Sequence, residues 1–141
     1  MSARVFQTDS EEQTIELGQK LATELVRPCL LLLIGNLGAG KTTLAKGIIS
    51  GLGGTPIEEV SSPTYTVVHE YADNIYHIDL YRLERPEEVE MLGLDEMFDR
   101  GAVMLVEWGE SYRGVLPSAT PVEIRIEAVA DIRRIEVEGL G

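Results

Sequence analysis

The chain has 141 residues, enough for one domain with a real buried core, and an ordinary balance of 44% hydrophobic and 26% charged residues. Its charge is unusual: 12 Lys and Arg against 24 Asp and Glu leave −12, with a pI near 4.5. Nucleic-acid binding runs on cations that displace counterions from phosphates, so this balance argues against direct RNA or DNA binding by the chain alone and suits docking onto a basic partner.

The opening "MSARVFQTDSEEQ" is polar and acidic, unlike a secretory leader, and the longest apolar run is too short to span a bilayer. With one cysteine, Cys29, no internal disulfide can form. The expectation is a reduced core thiol, no membrane, and a cytoplasmic location.

In chain order, "RVF" (4–6) opens as a short strand. Residues 8–25 read as a helix, with Asp9 and Glu12 or Ser10 and Gln13 as a capping box, and with Ile15, Leu17, Leu21, Ala22 and Leu25 on its apolar side. "CLLLLI" (29–34) is apolar on both faces, the mark of a strand buried inside a parallel sheet. A helix from Thr42 to about Leu52 follows, with Leu44, Ile48 and Leu52 spaced four apart. Residues 64–71 and 74–83 predict a hairpin across a short "AD" turn. Residues 85–98 predict a helix with proline near its start, a glycine break, and a second helical turn. "AVMLVEW" (102–108) is a second buried strand, and 121–129 and 133–139 alternate as antiparallel strands with one wet face. The fold class expected is α/β: a P-loop NTPase-like mixed sheet, parallel at its centre and antiparallel at its margins, flanked by helices, in a single domain over 1–141.

The strand 29–34 runs into Gly35-Asn36-Leu37-Gly38-Ala39-Gly40-Lys41-Thr42, which fits G-x-x-x-x-G-K-[ST] at every fixed position. Glycines allow the backbone of Asn36, Leu37, Gly38, Ala39 and Gly40 to turn N–H groups inward around phosphates. The following helix aims its positive end at the same anion. Lys41 reaches the β- and γ-oxygens, the Thr42 hydroxyl is placed for Mg²⁺, and Thr43 for the α-phosphate. A nucleotide metal needs a carboxylate at the end of a neighbouring buried strand. "VMLVE" ends in Glu107, assigned to the metal directly or through water. "IYHID" ends in Asp79, which would position water or metal from the adjacent strand. "SSPTYT" (61–66) resembles a switch loop, with Thr64 nearest the γ-phosphate. Trp108 sits beside the metal acid, so its fluorescence should respond to nucleotide. His69 and His77 lack metal-ligand spacing and read as structural or edge residues. With no guanine signature, the default base is adenine.

"GNLGAGKTT", "SSPTYTVVHEY", "IYHIDLYRL" and "VEWGE" follow one another in that order, and over about residues 8–138 the chain resembles the TsaE family. These are P-loop ATPases needed for threonylcarbamoyl-adenosine modification of bacterial tRNA. The resemblance implies slow, partner-stimulated, Mg²⁺-dependent ATP hydrolysis. It also implies assembly with TsaB- and TsaD-like proteins, the latter modifying adenosine 37, with tRNA reached through them. Carried over, Lys41 and Thr42 hold phosphate and Mg²⁺, Glu107 serves the metal, and Thr64 and Asp79 fall in the other motif stretches. Thr8 to Ser10, and Arg133 or Arg134, approach the nucleotide from the two chain ends. Two other classes remain open from the residues themselves: a small-molecule P-loop kinase, and a nucleotide-gated binding module with negligible catalysis.

Overall fold

The computed structural model describes residues 3–36, 38–53, 55–60, 67–71 and 74–140. Seven strands form one sheet: β1 (Arg4–Thr8), β2 (Cys29–Ile34), β3 (Val68–Tyr71), β4 (Ile75–Asp79), β5 (Val103–Glu107), β6 (Val122–Val129) and β7 (Ile132–Glu138). Their spatial order is β1-β7-β6-β2-β5-β4-β3. The pairings β6–β2, β2–β5 and β5–β4 are parallel. The outer pairings β1–β7, β7–β6 and β4–β3 are antiparallel. The mixed sheet with a parallel centre and antiparallel margins is therefore as expected.

The helices among the described residues are α1 (Glu11–Ala22), α2 (Lys41–Leu52), α3 (Pro86–Glu90) and α4 (Leu94–Asp99). The leucine strand explains how they are placed. Successive side chains of β2 point to opposite faces. Leu31 and Leu33 join a core with Leu17 and Leu21 of α1 and Leu44, Ile48 and Ile49 of α2. Leu30 and Leu32 join another with Val89 of α3, Leu94 of α4 and Leu116. Cys29 lies in the first core, where burial pushes its thiol up to about 11, so it stays protonated and inert.

α1 is shorter than the predicted 8–25, because Thr8 belongs to β1 and the helix starts after Ser10. The Ser10 Oγ accepts from the Gln13 N–H at 3.1 Å, and the Gln13 Oε1 accepts from the Asp9 N–H at 2.8 Å. The capping box is the Ser10–Gln13 alternative, with its return bond reaching one residue further upstream. The buried stripe of α1 is Thr14, Leu17, Gly18, Leu21 and Ala22, which leaves Ile15 only half-buried. Close helix contact is the reason. A Cβ on Gly18 would lie 2.7 Å from the Leu44 carbonyl oxygen, and one on Gly47 would run into the Ile15 carbonyl. α1 and α2 thus meet backbone to backbone, and the apolar stripe shifts to flank the glycines.

The break predicted within 85–98 falls at Gly93, whose φ of 74° is left-handed and starts α4. Beyond β5 the chain makes a 3₁₀ segment, Glu110–Val115, for which periodicity offered no signal. The Arg113 guanidinium ties it to Glu123 of β6 through two 3.0 Å bonds.

Candidate functional site

Parallel neighbours end on the same side of a sheet, and loops leaving those ends form a crevice. Here β2 ends in the glycine loop, β5 in Glu107 and β4 in Asp79. The register sets Leu33 opposite Glu107 and Glu107 opposite Asp79. Glu107 is on the strand directly beside the loop strand, and Asp79 is one strand further out. A cavity of about 440 Å³ opens there, between the N-termini of α1 and α2.

Gly38, Gly40, Lys41, Thr42, Thr43, Asp79, Glu107 and Trp108 all line it. So do Ser10 and Arg133, brought in from the two ends of the chain. Thr8 pairs with Arg133 between β1 and β7, which sets Arg133 beside the turn into α1. Between Arg133 and Arg134, the structure places Arg133 in the cavity. Arg134 lines a separate hollow behind the loop, together with Asn36 and Ala39. Any contact from Asn36 or Ala39 to the cavity would therefore come from backbone N–H groups. Thr8 is buried, its hydroxyl 2.7 Å from that of Thr14. Leu37 and residues 61–66, including Thr64, lie outside the described residues.

The electrostatics centre on Lys41. Gly40 is the N-cap of α2 at φ 107° and so offers no capping side chain, and no acidic residue occupies the first turn. The Lys41 Nζ is buried with no hydrogen-bond partner among the described residues. It rests 3.6 Å from the Trp108 ring centroid. Burial pushes the Lys41 ammonium below the ordinary lysine range, while Glu107, Glu110 and Asp79 pull it back up. Asp79 accepts from the Tyr81 N–H at 2.9 Å, and burial nevertheless raises its carboxyl above the usual carboxylate range. Trp108 itself adopts φ 63°, an uncommon value for a bulky residue, and Tyr81 leans on it at 4.9 Å between centroids.

Of the two roles expected for His77, structural or edge, it takes the structural one. It is fully buried in β4, between β3 and β5, and its Nε2 lies 2.5 Å from the Glu107 Oε2. His69 does sit on the edge strand, stacked on Tyr71. Sequence reasoning also passed over Glu11, Thr14 and Asp131, which line the cavity, and Glu110, whose charge reaches Lys41. Strand parity was the available signal for Arg133 and His77. Arg133 alternates with the buried Ile135 and Val137, and His77 with the buried Ile75 and with Asp79.

A glycine loop from a buried parallel strand, a helix with glycine at its N-cap and two carboxylates on the next strands thus stand together. Across residues 8–135 the chain matches the model of the family described as threonylcarbamoyl adenosine biosynthesis protein TsaE. The chain belongs to the TsaE family. A Haemophilus influenzae relative, named tRNA threonylcarbamoyladenosine biosynthesis protein TsaE, is 44% identical over 121 residues, covering 84% of this chain and 73% of that protein. The Bacillus subtilis protein of the same name is 42% identical over 133 residues, covering 92% and 80%. The crystal structure of Bacillus subtilis YdiB superposes with a TM-score of 0.78 at 34% identity, covering 99% of this chain and 87% of that one. The matched span of the TsaE model takes in the glycine loop, both strand-end acids and Arg133.

Proposed function

We propose that this TsaE-family chain is the ATP-binding and slowly ATP-hydrolysing subunit of the complex that forms N6-threonylcarbamoyladenosine at position 37 of tRNA. It works as one domain, with Mg²⁺ and with TsaD- and TsaB-like partners. One observation carries the nucleotide part of the reading. A buried lysine ammonium without a hydrogen-bond partner among the described residues stands in the cavity, at a helix N-terminus whose N-cap is a glycine. A buried unpaired cation is costly, and a phosphate group supplies the missing partner.

In this reading the Lys41 ammonium leaves the Trp108 face for phosphate oxygens. The loop N–H groups and the start of α2 hold the remaining phosphate charge. The Thr42 hydroxyl and Glu107 would hold Mg²⁺, whose charge, when bound, offsets that developing on the phosphate oxygens. Asp79, beside Glu107, orients water or metal, and Thr64 senses the γ-phosphate from the 61–66 loop. Ser10 and Arg133 contact the nucleotide from the opposite wall. Because the chain is strongly acidic, the partners supply the tRNA contacts.

The test is phosphate release by the chain alone, then with both partners and tRNA. Slow release that the partners accelerate, abolished in Lys41→Ala, is expected. Transfer of phosphate to small hydroxyl compounds would instead mark a kinase. Full Mg²⁺ dependence of nucleotide affinity in Glu107→Gln would remove Glu107 from the metal. Intact modification by a Glu107→Gln or Asp79→Asn complex that hydrolyses nothing would mark a nucleotide-gated binding module.

A further inference from the structure

The imidazole of His77 has no part in the phosphate site just described, yet it touches that site's principal carboxylate. Its ring is completely buried, its backbone is paired to strands on both sides, and its Nε2 lies 2.5 Å from the Glu107 Oε2. Glu107 is itself buried and lines the cavity. The Lys41 Nζ makes no hydrogen bond to it.

We infer that His77 is a positioning residue: its Nε2–H donates to the Glu107 Oε2 and holds the carboxylate so that Oε1 is the oxygen presented to a metal in the cavity. The ring's other nitrogen supports this tautomer. Nδ1 is buried with no partner among the described residues. A proton there would bury an unpaired donor, and with Nε2 also protonated an added charge, whereas a bare nitrogen buries only a lone pair. The geometry suits the role. His77 and Asp79 share a face of β4, and Leu105 and Glu107 share the matching face of β5. His77 stands opposite Leu105, so the imidazole reaches Glu107 diagonally across the strand pair from below. A carboxylate free to rotate would present either oxygen, or both. One pinned by a rigid donor presents one. Outer hydrogen bonds of this kind set ligand orientation at metal sites, and their loss typically costs about 10- to 100-fold in metal affinity or activity.

The inference rests on the reading of Glu107 as a metal carboxylate, and the experiment separates the two. Affinity for a non-hydrolysable ATP analogue is measured calorimetrically on the full chain, with and without Mg²⁺. Wild type is compared with His77→Leu, His77→Gln and Glu107→Gln. The readout is the factor by which Mg²⁺ strengthens binding. In His77→Leu this factor falls about 10-fold or more while metal-free affinity stays at the wild-type value. In His77→Gln, whose amide N–H stands in for Nε2–H, most of the factor returns. If His77→Leu keeps the wild-type factor while Glu107→Gln loses it, the positioning role is wrong and the metal reading stands. Loss in His77→Gln equal to that in His77→Leu also overturns it. If Glu107→Gln keeps the factor, the metal reading itself fails. Should His77→Leu not fold, the imidazole ¹⁵N spectrum of the wild-type chain decides: protonated Nε2 with bare Nδ1 supports the role, and the reverse tautomer overturns it.

Discussion

Trp108 reports on Lys41 because the two groups touch. A cation over an indole face is held by about 0.5–2 kcal/mol, little beside the attraction of a triphosphate. Nucleotide binding should therefore lift the ammonium from the ring and change the emission of the only tryptophan in the chain. Stopped-flow fluorescence checks this: a saturable change is expected in wild type and none in Lys41→Ala. Asp79 yields a second test at this scale. Its folded-state carboxyl is raised, chiefly by burial. A raised carboxyl contributes stability below its unfolded-state value and loses it as pH rises through the folded-state value. Above that window the charged Asp79 is a burden on the nucleotide-free protein. Asp79→Asn removes the burden, so its melting temperature should exceed that of wild type at neutral pH, with the gap narrowing as pH falls through the carboxylate range. Its hydrolysis should fall even so, because the charge that costs stability is the one proposed to orient water or metal.

Among the elements, the α1–α2 pair positions both walls of the cavity, since Ser10 caps one helix and Lys41 opens the other. Their contact is set by glycines rather than by large side chains. Gly47→Ala would drive a methyl into the Ile15 carbonyl, and backbone cannot yield as a side-chain tip can. The expected loss is about 1–3 kcal/mol, read as a lower denaturation midpoint. Gly114→Ala is the control. Among the described residues no atom beyond its chain neighbours lies within 4 Å of the added Cβ, and the backbone is outside the left-handed region, so stability should hold or rise slightly. The short helices α3 and α4 serve the other face, where Val89 and Leu94 cover Leu30 and Leu32.

At the scale of the whole molecule, charge governs what the chain can meet. Among the described residues no helix is long and apolar enough to cross a membrane. The net charge of −12 opposes approach to a polyanion. Labelled tRNA should show no shift with the chain alone at physiological salt, and should be retained once basic partners join. A shift with the isolated chain, weakening steeply with salt, would show that a local basic surface overrides the net charge.

The sequence by itself determined what depends on near neighbours along the chain. The phosphate loop was legible because its residues are contiguous and a strand and helix flank them directly. β2 was legible because six apolar residues suit only a strand buried on both faces, and the capping of α1 because Ser10 and Gln13 are three apart. Parity along β4, β5 and β7 put His77 with Asp79, Leu105 with Glu107, and Arg133 with Ile135. It could not say which strands are neighbours. Only the tertiary structure set β5 between β2 and β4, which ranks Glu107 ahead of Asp79 in nearness to the loop. The same order brings His77 to Glu107 from 30 residues away and decides for a buried structural role over an edge one. It also folded the chain's two ends together through β1 and β7, so that Ser10 and Arg133 share one wall. The physical reason is common to all three. Side-chain direction is a local property of a strand, whereas strand adjacency follows from how the whole sheet buries its two faces, and no short stretch of sequence carries that information.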